Sequence, residues 1–422
     1  MSLDFHALAA EFGTPLYVYD GDVLLDDFST LRALAPEPLE IFYSLKANPN
    51  ITVFDLLRRA GARAEVSSLA ELRTVLKAGA APENIIFLGP GKNEAELTAC
   101  LDAGVYAIVA ESFEELELID ELTEESGRRQ RVLLRINPAR PPSAARLTMG
   151  GKPRQFGVDE ELVLSSGSRL REFTHACVRG VHAYLGTRIL DAKAVADNTR
   201  YVLDLALRVA ESTGIPLDAV DIGGGLGVPY FENETELDVE QLGVELDQAV
   251  DTFRSMRPNT RLIMEAGRFP TARCGTYLVS VRSVKRSLGE DFAITDGGTH
   301  QHMAAVGVGS FVKRNFPVAL LSRETDEPTG PWHLTGPLCT PNDVIAKNAQ
   351  LPPLRKGDLV GVLMSGAYGP TASPGLFLGH GHPAEVVVLG GVPRLVRDRD
   401  TVDDVLARQI LCEFPDTTPN GK

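Results

Sequence analysis

The sequence predicts an α/β protein: a (β/α)8 TIM-type barrel followed by an antiparallel β-rich C-terminal domain that the N-terminal strand completes. Three observations predict this fold. Short apolar runs alternate eight times with segments of helical periodicity, which is the pattern of a parallel barrel. After about Gly275 the long helical patterns end, and alternating strands with turn signals follow. The opening "TPLYVYD" also resembles a strand.

The eight apolar runs are nearly continuous because a strand of a parallel sheet is buried on both faces. The segments between them, such as "SLAELRTVLKAGA" and "SFEELELIDELTEESG", space Leu, Ile and Val at helical intervals and carry charge at the other positions. In chain order the runs are "LEIFYSLK" from Leu39, "ARAEVSS" from Ala62, "NIIFLG" from Asn84, "YAIVA" from Tyr106, "RVLLRIN" from Arg131, "RGVHAYLG" from Arg179, "LDAVDIGGG" from Leu217 and "RLIMEAGR" from Arg261.

Two domains are expected from the length of 422 residues. We assign residues 30–275 to the barrel, and residues 1–29 together with 276–422 to a β-sandwich or β-barrel domain. The last residues, "PDTTPNGK", have the composition of a disordered tail.

Composition excludes several classes of protein. The formal charge of −15 does not favour a nucleic-acid or anionic-membrane surface, and no apolar stretch reaches membrane-spanning length. The N-terminus lacks the pattern of a secretory signal, so a cytoplasmic location is expected. Five widely spaced cysteines without a CxxC pair predict reduced thiols rather than disulfides or a zinc site.

Polar and glycine residues gather where the predicted strands end. In parallel barrels the functional side chains lie at the C-terminal ends of the strands, so these residues are expected to share one rim. Lys46 alone fits a lysine that merely reaches solvent from a strand end. The residues at this rim are Lys46, Ser67, Ser68, Glu71, Arg135, Asn137, His182, Tyr184, Gly186, Thr187, Asp221, Gly223, Gly224, Gly225, Glu265, Gly267 and Arg268.

This combination fits pyridoxal 5′-phosphate. The glycines of "DIGGGLG", with "EAGR" on the next strand, can present backbone N–H groups to a phosphate. A lysine lining the barrel can form a Schiff base with the aldehyde, and a buried carboxylate can keep the pyridine nitrogen protonated.

At this point the chain resembles the fold type III pyridoxal-phosphate decarboxylases, the group of diaminopimelate, ornithine and arginine decarboxylases with an alanine-racemase-like fold. The motifs that carry the resemblance occur in the family's order and cover nearly the whole chain. They are "YSLKANPN", "EVSSLAEL", "HAYLGT", "DIGGGLG", "EAGR", "GPLCTPND" and "GAYG".

The resemblance implies roles for single residues. Lys46 would be the Schiff-base lysine and Glu265 the partner of the ring nitrogen, while Tyr368 would contact the cofactor. Cys339 would act from the β domain of a partner subunit, as the acid that protonates the α-carbon, so a homodimer is implied. The remaining cofactor-binding residues would be Ser68, Arg135, Tyr184, Thr187, Gly223, Gly224, Gly225, Gly267 and Arg268, with Glu71 near the ring.

Structural alternatives stay open for three of these residues. Glu265 could be a satisfied strand-end carboxylate, Tyr368 a corner tyrosine and Cys339 a small buried thiol.

The sequence departs from the family pattern at positions that bear on the substrate. Tyr184 stands where a stacking histidine is common, and Thr187 where a serine is common. Enzymes that act on diamino acids carry an acid directly after the cysteine, whereas Thr340 follows here and the first acid is Asp343. A buried substrate ammonium would lack its partner, which argues against lysine, ornithine or diaminopimelate.

The loop after strand five, "PARPPSAARLTMGGKPRQFG", contributes Arg140, Arg146, Lys152 and Arg154. Such a cluster in an acidic protein fits a lid over an anionic substrate, and a solvated loop fits equally. We assign Arg188, Thr340 and Asp343 to substrate binding. The pattern is most similar to decarboxylases of specialised metabolism, so the substrate is expected to be amino-acid-derived, either carrier-bound or a siderophore precursor.

Other functions remain as alternatives: a diaminopimelate decarboxylase, a pyridoxal-phosphate-dependent racemase, or a non-catalytic regulator that binds the cofactor. "THQH", with His300 and His302, could be a metal pair on one strand face, but no third ligand follows nearby. We predict no metal, and polar packing for these histidines.

Overall fold

The strands of the protein form two large sheets and one short pair. The computed structural model describes residues 3–140, 147–148, 153–306 and 314–414. The strands in these residues are β1 (Leu16–Asp20), β2 (Leu39–Ser44), β3 (Arg63–Val66), β4 (Ile85–Phe87), β5 (Ala107–Ala110), β6 (Gln130–Asn137), β7 (Leu147–Thr148), β8 (Val158–Asp159), β9 (Ala176–His182), β10 (Gly186–Thr187), β11 (Ala219–Asp221), β12 (Arg261–Ala266), β13 (Gly275–Ser287), β14 (Glu290–Thr295), β15 (Val318–Leu320), β16 (Gly330–Thr335), β17 (Val344–Leu351), β18 (Leu359–Val362), β19 (Ala384–Leu389) and β20 (Val392–Arg397).

Helices connect most of the strands in the first two thirds of the chain. Short 3-10 turns add Leu45–Ala47, Pro82–Asn84, Met303–Val306, Pro370–Ala372 and Phe377–Gly379. The α-helices are α1 (Phe5–Phe12), α2 (Gly21–Leu34), α3 (Ile51–Arg59), α4 (Leu69–Lys77), α5 (Glu94–Ala103), α6 (Phe113–Glu125), α7 (Glu160–Ser165), α8 (Gly167–Leu170), α9 (Ala192–Thr213), α10 (Val239–Met256), α11 (Arg268–Thr271) and α12 (Val402–Leu406).

Eight parallel strands close into a barrel, which confirms the predicted fold. The pairing runs β5-β4-β3-β2-β12-β11-β9-β6, and β5 pairs again with β6 to complete the circle. Each of the eight predicted runs overlaps one of these strands. Side-chain caps set several helix starts: Ser68, Asn93 and Ser112 each accept a hydrogen bond from a backbone N–H in the first turn.

Two layers of apolar side chains hold the barrel together. Phe42, Ile86, Val109, Leu133 and Ile263 belong to one buried cluster, and the alternation along each strand directs them to the same face. The neighbouring strand residues face outward and pack with the buried faces of the helices in a larger cluster. Strands covered on both faces explain the continuous apolar runs of the sequence.

The second sheet joins the N-terminal strand to the last third of the chain, as predicted. β1 pairs antiparallel with β13 and parallel with β19, and β14 pairs parallel with β16. The sheet is thus mixed rather than purely antiparallel, because two of its pairings, β1 with β19 and β14 with β16, are parallel. Helix α2 runs across the predicted domain boundary at residue 29, and the position of that boundary stays a prediction.

Two hydrogen bonds tie the second sheet to the barrel beside the predicted reactive lysine. The backbone N–H of Tyr368 donates to the Ala47 carbonyl at 2.7 Å, and the Asn48 side chain donates to the Gly366 carbonyl at 3.0 Å. The segment after β18 therefore helps to fix the turn that carries Lys46.

Within the described ranges, no helix combines the length and the apolar character needed to cross a membrane. The tail 415–422, predicted to be disordered, lies outside these ranges.

Candidate functional site

The inner layer of the barrel changes from apolar to charged toward the C-terminal ends of the strands. Because alternate residues of a strand face the same side, the residue two positions after an inward apolar side chain also points inward. Phe42 is followed in this way by Ser44, and Ile263 by Glu265. Buried polar residues at this end of the barrel include Ser44, Glu65, Arg135, His182, Asp221 and Glu265.

Lys46 lies among carboxylates in the turn that follows β2. Its Nζ lies 3.1 Å from Oε2 of Glu65 and 3.7 Å from Oε2 of Glu265, and its side chain is 36% exposed. Burial alone lowers the pKa of Lys46, but the two carboxylates outweigh burial and raise the pKa well above its ordinary value. The amine thus points into the barrel mouth as a paired cation, which is not the solvent-reaching alternative.

Glu265 is the buried acceptor at the centre of this group. Its Oε1 lies 2.8 Å from Nε2 of His182, and its Oε2 accepts no hydrogen bond from the residues that the structure describes. Burial raises the pKa of Glu265, but Lys46, the hydrogen bond from His182 and the charge of Arg135 lower it to about 2. Glu265 therefore keeps its negative charge near neutral pH.

Asp221 lies next to Glu265, and its pKa is shifted in the opposite direction. Burial and the Glu265 charge raise the pKa of Asp221 well above its ordinary range, although its Oδ1 accepts a 2.9 Å hydrogen bond from the Gly223 N–H. One acid of the pair thus favours the neutral form while the other stays ionised, as expected for two carboxyl groups in one buried site.

The same residues have the spacing of a metal site. One ligand atom each from His182, Asp221 and Glu265 lie within 4.8 Å of one another. The His182 nitrogen, however, is engaged by Glu265, and the Lys46 ammonium already supplies the positive charge. We assign these residues to the predicted organic cofactor, and the absence of a metal stays a prediction.

The glycine run after β11 is required by close packing. A Cβ added to Gly224 would lie 1.9 Å from the Glu265 carbonyl oxygen, and one added to Gly225 would lie 2.0 Å from the Gly186 carbonyl oxygen. Gly225 also has φ of +98°, a conformation that side chains disfavour. The backbone of Gly223, Gly224 and Gly225 thereby reaches the rim between β10 and β12.

Arg268 stands at this rim with two tyrosines. Its Nη1 donates to the Tyr230 hydroxyl at 2.8 Å, and its guanidinium carbon lies 4.6 Å from the ring centre of Tyr368. Its Nε is buried without a hydrogen-bond partner among the described residues. Gly267 precedes it, and a Cβ there would lie 2.9 Å from Cβ of Ala47, so the glycine lets β12 end against the lysine turn.

Arg135 is held by a buried ion pair on the far side of the barrel mouth. Its Nη1 lies 2.5 Å from Oε1 of Glu111, and its guanidinium carbon lies 4.5 Å from the Phe156 ring centre. Glu111 also accepts a 2.9 Å hydrogen bond from the Gly157 N–H. This pair fixes a cation close enough to lower the pKa of Glu265.

Ser68 and Glu71 form the start of α4 rather than a direct contact with Lys46. The Ser68 hydroxyl caps the helix by accepting from the Glu71 N–H at 3.2 Å, and Glu71 accepts from the Ser67 N–H at 2.7 Å. Burial raises the pKa of Glu71 to about 7. The cofactor role predicted for Ser68 stays a prediction.

Tyr184, Thr187 and Arg188 line the rim after β9. The Tyr184 ring centre lies 5.6 Å from Nζ of Lys46, so an aromatic face occupies the position predicted to stack. Thr187 belongs to β10, which pairs with β7 at residues 147–148, so part of the predicted lid lies along this rim. Arg146 and Lys152 of the predicted basic cluster lie outside the described residues.

Three predicted residues, Cys339, Thr340 and Asp343, belong to the segment between β16 and β17 of the second sheet. Cys339 is exposed on the segment between β16 and β17, and Thr340 is half-buried beside it. The predicted role of Cys339 across a dimer interface stays a prediction. Asp343 is 3% exposed, and its carboxylate accepts hydrogen bonds from the backbone of Thr299 and Leu338 and from the Thr299 hydroxyl. That carboxylate holds its own loop, so we leave Asp343 out of the proposed site.

His300 and His302 do not lie on a strand, so the expectation of a shared strand face was wrong. They lie in the turn between β14 and the 3-10 turn Met303–Val306. Nε2 of His302 lies 2.7 Å from the Ser365 hydroxyl, and the His300 ring centre lies 4.6 Å from that of His380. Burial lowers the pKa of both imidazoles, to about 4 and about 3, so both are neutral near pH 7.

The residues present fit the predicted pyridoxal phosphate. An amine, an ionised buried carboxylate with one oxygen lacking a described hydrogen-bond donor, and an aromatic face surround one space at the barrel mouth. The glycine backbone and Arg268 form the adjacent rim, where a phosphate would meet N–H donors and a cation.

Three residues of the site were missed by sequence reasoning. Glu65, 0% exposed, is the acid nearest to Lys46, Glu111 holds Arg135, and Tyr230 holds Arg268. Only Glu65 had a local signal, since it is a charged residue inside the apolar run "ARAEVSS".

The matching family is the pyridoxal-dependent decarboxylase family, whose pyridoxal-binding domain model matches residues 25–272. The chain is 39% identical over 415 residues to the L-glutamyl-[BtrI acyl-carrier protein] decarboxylase of Niallia circulans, which covers 96% of each chain. It is also 30% identical over 410 residues to the diaminopimelate decarboxylase of Methanothermobacter thermautotrophicus, covering 95% of this chain and 93% of that protein.

Solved structures agree with these relatives. The crystal structure of diaminopimelate decarboxylase from Helicobacter pylori complexed with L-lysine superposes with a TM-score of 0.85 at 26% identity, covering 96% of this chain and 98% of that chain. Together with the lysine, carboxylate and glycine arrangement at the barrel mouth, these likenesses show that the chain belongs to the pyridoxal-dependent decarboxylases and is a carboxy-lyase whose cofactor is pyridoxal 5′-phosphate.

Proposed function

We propose that this carboxy-lyase acts on an amino acid joined to a carrier protein, with an L-glutamyl group as the substrate. The relative from Niallia circulans, which aligns over 96% of both chains, is named for such a substrate. Because the α-carboxylate must be free to leave, the carrier would be joined through the side-chain carboxyl.

The observation that carries this proposal is the environment of Asp343. It is the first acid after Cys339, and its buried carboxylate is bound to the backbone of its own loop. By resemblance to the family, Thr340 would stand where a diamino acid would require a negative charge for its distal ammonium. A side chain that ends in a neutral thioester needs no such charge, so the carrier-bound substrate fits better than diaminopimelate.

The residues of the barrel mouth have different roles in the proposed reaction. When bound, pyridoxal phosphate supplies an electron-withdrawing ring that accepts the electrons left at the α-carbon when CO₂ departs. Lys46, which pairs with Glu65 and Glu265, would anchor the cofactor, and the ionised carboxylate of Glu265 would stabilise a protonated ring nitrogen. Arg268 and the glycine backbone would hold the phosphate end, and Tyr184 would cover one face of the ring.

The proton that replaces CO₂ is assigned to Cys339 of the partner subunit, which makes the active enzyme a homodimer. Cys339 is exposed on the β16–β17 segment of its own protomer, as a residue serving another subunit should be. Mixing equal amounts of Lys46→Ala and Cys339→Ala subunits tests this point. Each hybrid dimer would regain one of its two sites, and hybrids would make up about half of the dimers, so the mixture would recover about a quarter of the wild-type activity. An inactive mixture of proteins that exchange subunits would contradict the shared site.

The substrate is tested by CO₂ release. Carboxyl-labelled substrates are offered as the γ-L-glutamyl thioester of a phosphopantetheinylated carrier protein, as free L-glutamate and as diaminopimelate. We expect release from the thioester and little from the free amino acids. Release from diaminopimelate alone would overturn the proposal. The established carboxy-lyase class already removes the racemase and the non-catalytic regulator from consideration.

We also place the protein in the cytoplasm. The cysteines that the structure describes are all free, which suits a reducing compartment: Cys100, Cys177, Cys274, Cys339 and Cys412. Fractionation of producing cells checks this placement, and recovery in the secreted fraction would contradict it.

A further inference from the structure

Two arginines share one aromatic ring at the outer edge of the barrel mouth. The guanidinium carbon of Arg188 lies 5.4 Å from the ring centre of Phe231, and that of Arg314 lies 5.3 Å from the same centre. Arg314 is exposed and the Arg188 side chain is 27% exposed. An aromatic ring attracts guanidinium groups without neutralising them, so it can seat two cations side by side.

This pair continues outward from the rim that holds the cofactor. Arg268 donates to the Tyr230 hydroxyl, and the guanidinium carbon of Arg188 lies 5.2 Å from the Tyr230 ring centre. The backbone of Arg188 is fixed beside the glycine segment, because the next residue, Ile189, donates to the Gly225 carbonyl at 3.0 Å. A line of cations and rings thus runs from the cofactor rim to the surface.

Three arginines, Arg268, Arg188 and Arg314, supply cations along this line, and the segment beside Phe231 supplies the acids Glu232 and Glu234. Glu234, whose side chain is 0% exposed, lies 3.6 Å from Arg188, whereas Arg314 donates to the neutral side chain of Asn233 at 2.9 Å. In a protein of formal charge −15, a positive edge at the entrance of the site favours an anionic ligand. Arginine is the side chain best suited to a phosphate, because its fork of donors matches the phosphate oxygens.

A carrier-bound substrate brings such an anion with it. Acyl carrier proteins hold their cargo on a phosphopantetheine arm, with the thioester at one end and a phosphodiester at the other. When the amino acid lies at Lys46 in the barrel mouth, the arm must leave through the rim and its phosphodiester must lie outside. The edge formed by Arg188, Phe231 and Arg314 meets these requirements.

We propose that Arg188 and Arg314 bind the phosphate of the phosphopantetheine arm, so that the enzyme recognises the arm itself as well as the amino acid. This inference rests on the carrier-bound substrate proposed above. The rim would then bind two phosphates at different places. Arg268 and the glycine backbone would bind the phosphate of the cofactor, and Arg188 and Arg314 would bind the phosphate of the arm.

The test compares two small substrates that differ only in the phosphate: γ-L-glutamyl-S-pantetheine and γ-L-glutamyl-S-4′-phosphopantetheine. For Arg314→Ala we expect a loss of about tenfold in kcat/KM on the phosphorylated substrate, carried by KM, and a much smaller change on the other. Arg314→Lys should recover part of the loss. Arg257→Ala is the matched control, since Arg257 is exposed before β12 at the opposite rim.

Three results would overturn the inference. In the first, the wild-type enzyme does not distinguish the two substrates. In the second, Arg314→Ala weakens both substrates equally. In the third, Arg188→Ala keeps its cofactor and still distinguishes the two substrates as the wild type does. If the wild-type enzyme releases CO₂ neither from these two thioesters nor from the carrier-bound thioester, the proposed substrate fails instead. Calorimetric titration of the holoenzyme with 4′-phosphopantetheine and with pantetheine then still decides whether the arginine pair binds this phosphate.

Discussion

Glu65 should control how readily the Lys46 amine reacts. A unit charge pair at the observed 3.1 Å is worth about 5 kcal/mol at an effective dielectric constant of 20. Since the Lys46 side chain is 36% exposed, solvent screening reduces this to about 1 to 3 kcal/mol. Glu65→Gln keeps the shape and removes the charge, so the neutral fraction of the amine should rise about tenfold or more at fixed pH.

The assay is reductive methylation of the apoenzyme at neutral pH, with modified peptides quantified by mass spectrometry. Only the neutral amine reacts, so the rate at Lys46 reports its neutral fraction, and exposed Lys356 serves as the internal reference. Glu40→Gln is the matched control, because Glu40 pairs with Arg63 and Arg261 instead. A Lys46 rate that is equal in the Glu65→Gln and wild-type proteins would refute the reasoning.

Two further changes test the packing of the rim and a buried histidine. Gly224→Ala places a Cβ 1.9 Å from the Glu265 carbonyl oxygen and should lower the free energy of unfolding by about 2 kcal/mol or more. The control Gly330→Ala has open space around the added Cβ and should change the free energy of unfolding by less than about 0.5 kcal/mol. Urea titrations measure both values. Burial lowers the pKa of His302 from 6.5 to about 3, so its contribution to stability is complete above pH 6.5 and is lost as the pH falls toward 3. When the pH falls from 7 to 5, this histidine should lower the free energy of unfolding by about 2 kcal/mol. The His302→Gln variant should not show this decrease. The control variant His6→Gln, at an exposed histidine, should show it in full.

Each of these predictions can fail in a definite way. Equal urea midpoints for the two glycine variants would show that the rim can move to accept a side chain. A stability profile of His302→Gln that falls as steeply with pH as that of the wild type would assign the acid sensitivity to other groups.

The barrel was predictable because each of its strands is buried on both faces and leaves an apolar run in the sequence. The rim residues followed from their place at the strand ends. The parallel pairing of β1 with β19 was not predictable, since it joins Leu16 to Ala384 and leaves no local pattern. Tyr230 was missed for the same reason: its contact with Arg268 depends on the path of a loop.

The position of Glu65 could be predicted only in part. The sequence shows a charged residue within the apolar run of β3, but Glu65 reaches Lys46 because the strand register places it opposite Ser44. Cys339 could be predicted as a site residue by resemblance alone, because nothing in its own protomer brings it to Lys46.

The two hydrogen bonds from Tyr368 and Asn48 that fasten the lysine turn to the second sheet have a consequence for synthesis on the ribosome. A nascent chain can complete the barrel strands once residue 266 has emerged, yet the turn with Lys46 gains its anchors only after residues 366–368 follow. Strand β1, the first to be made, waits still longer for β19. Translation order therefore delays the anchoring of the lysine turn, so most of the polypeptide is made before the cofactor site is complete.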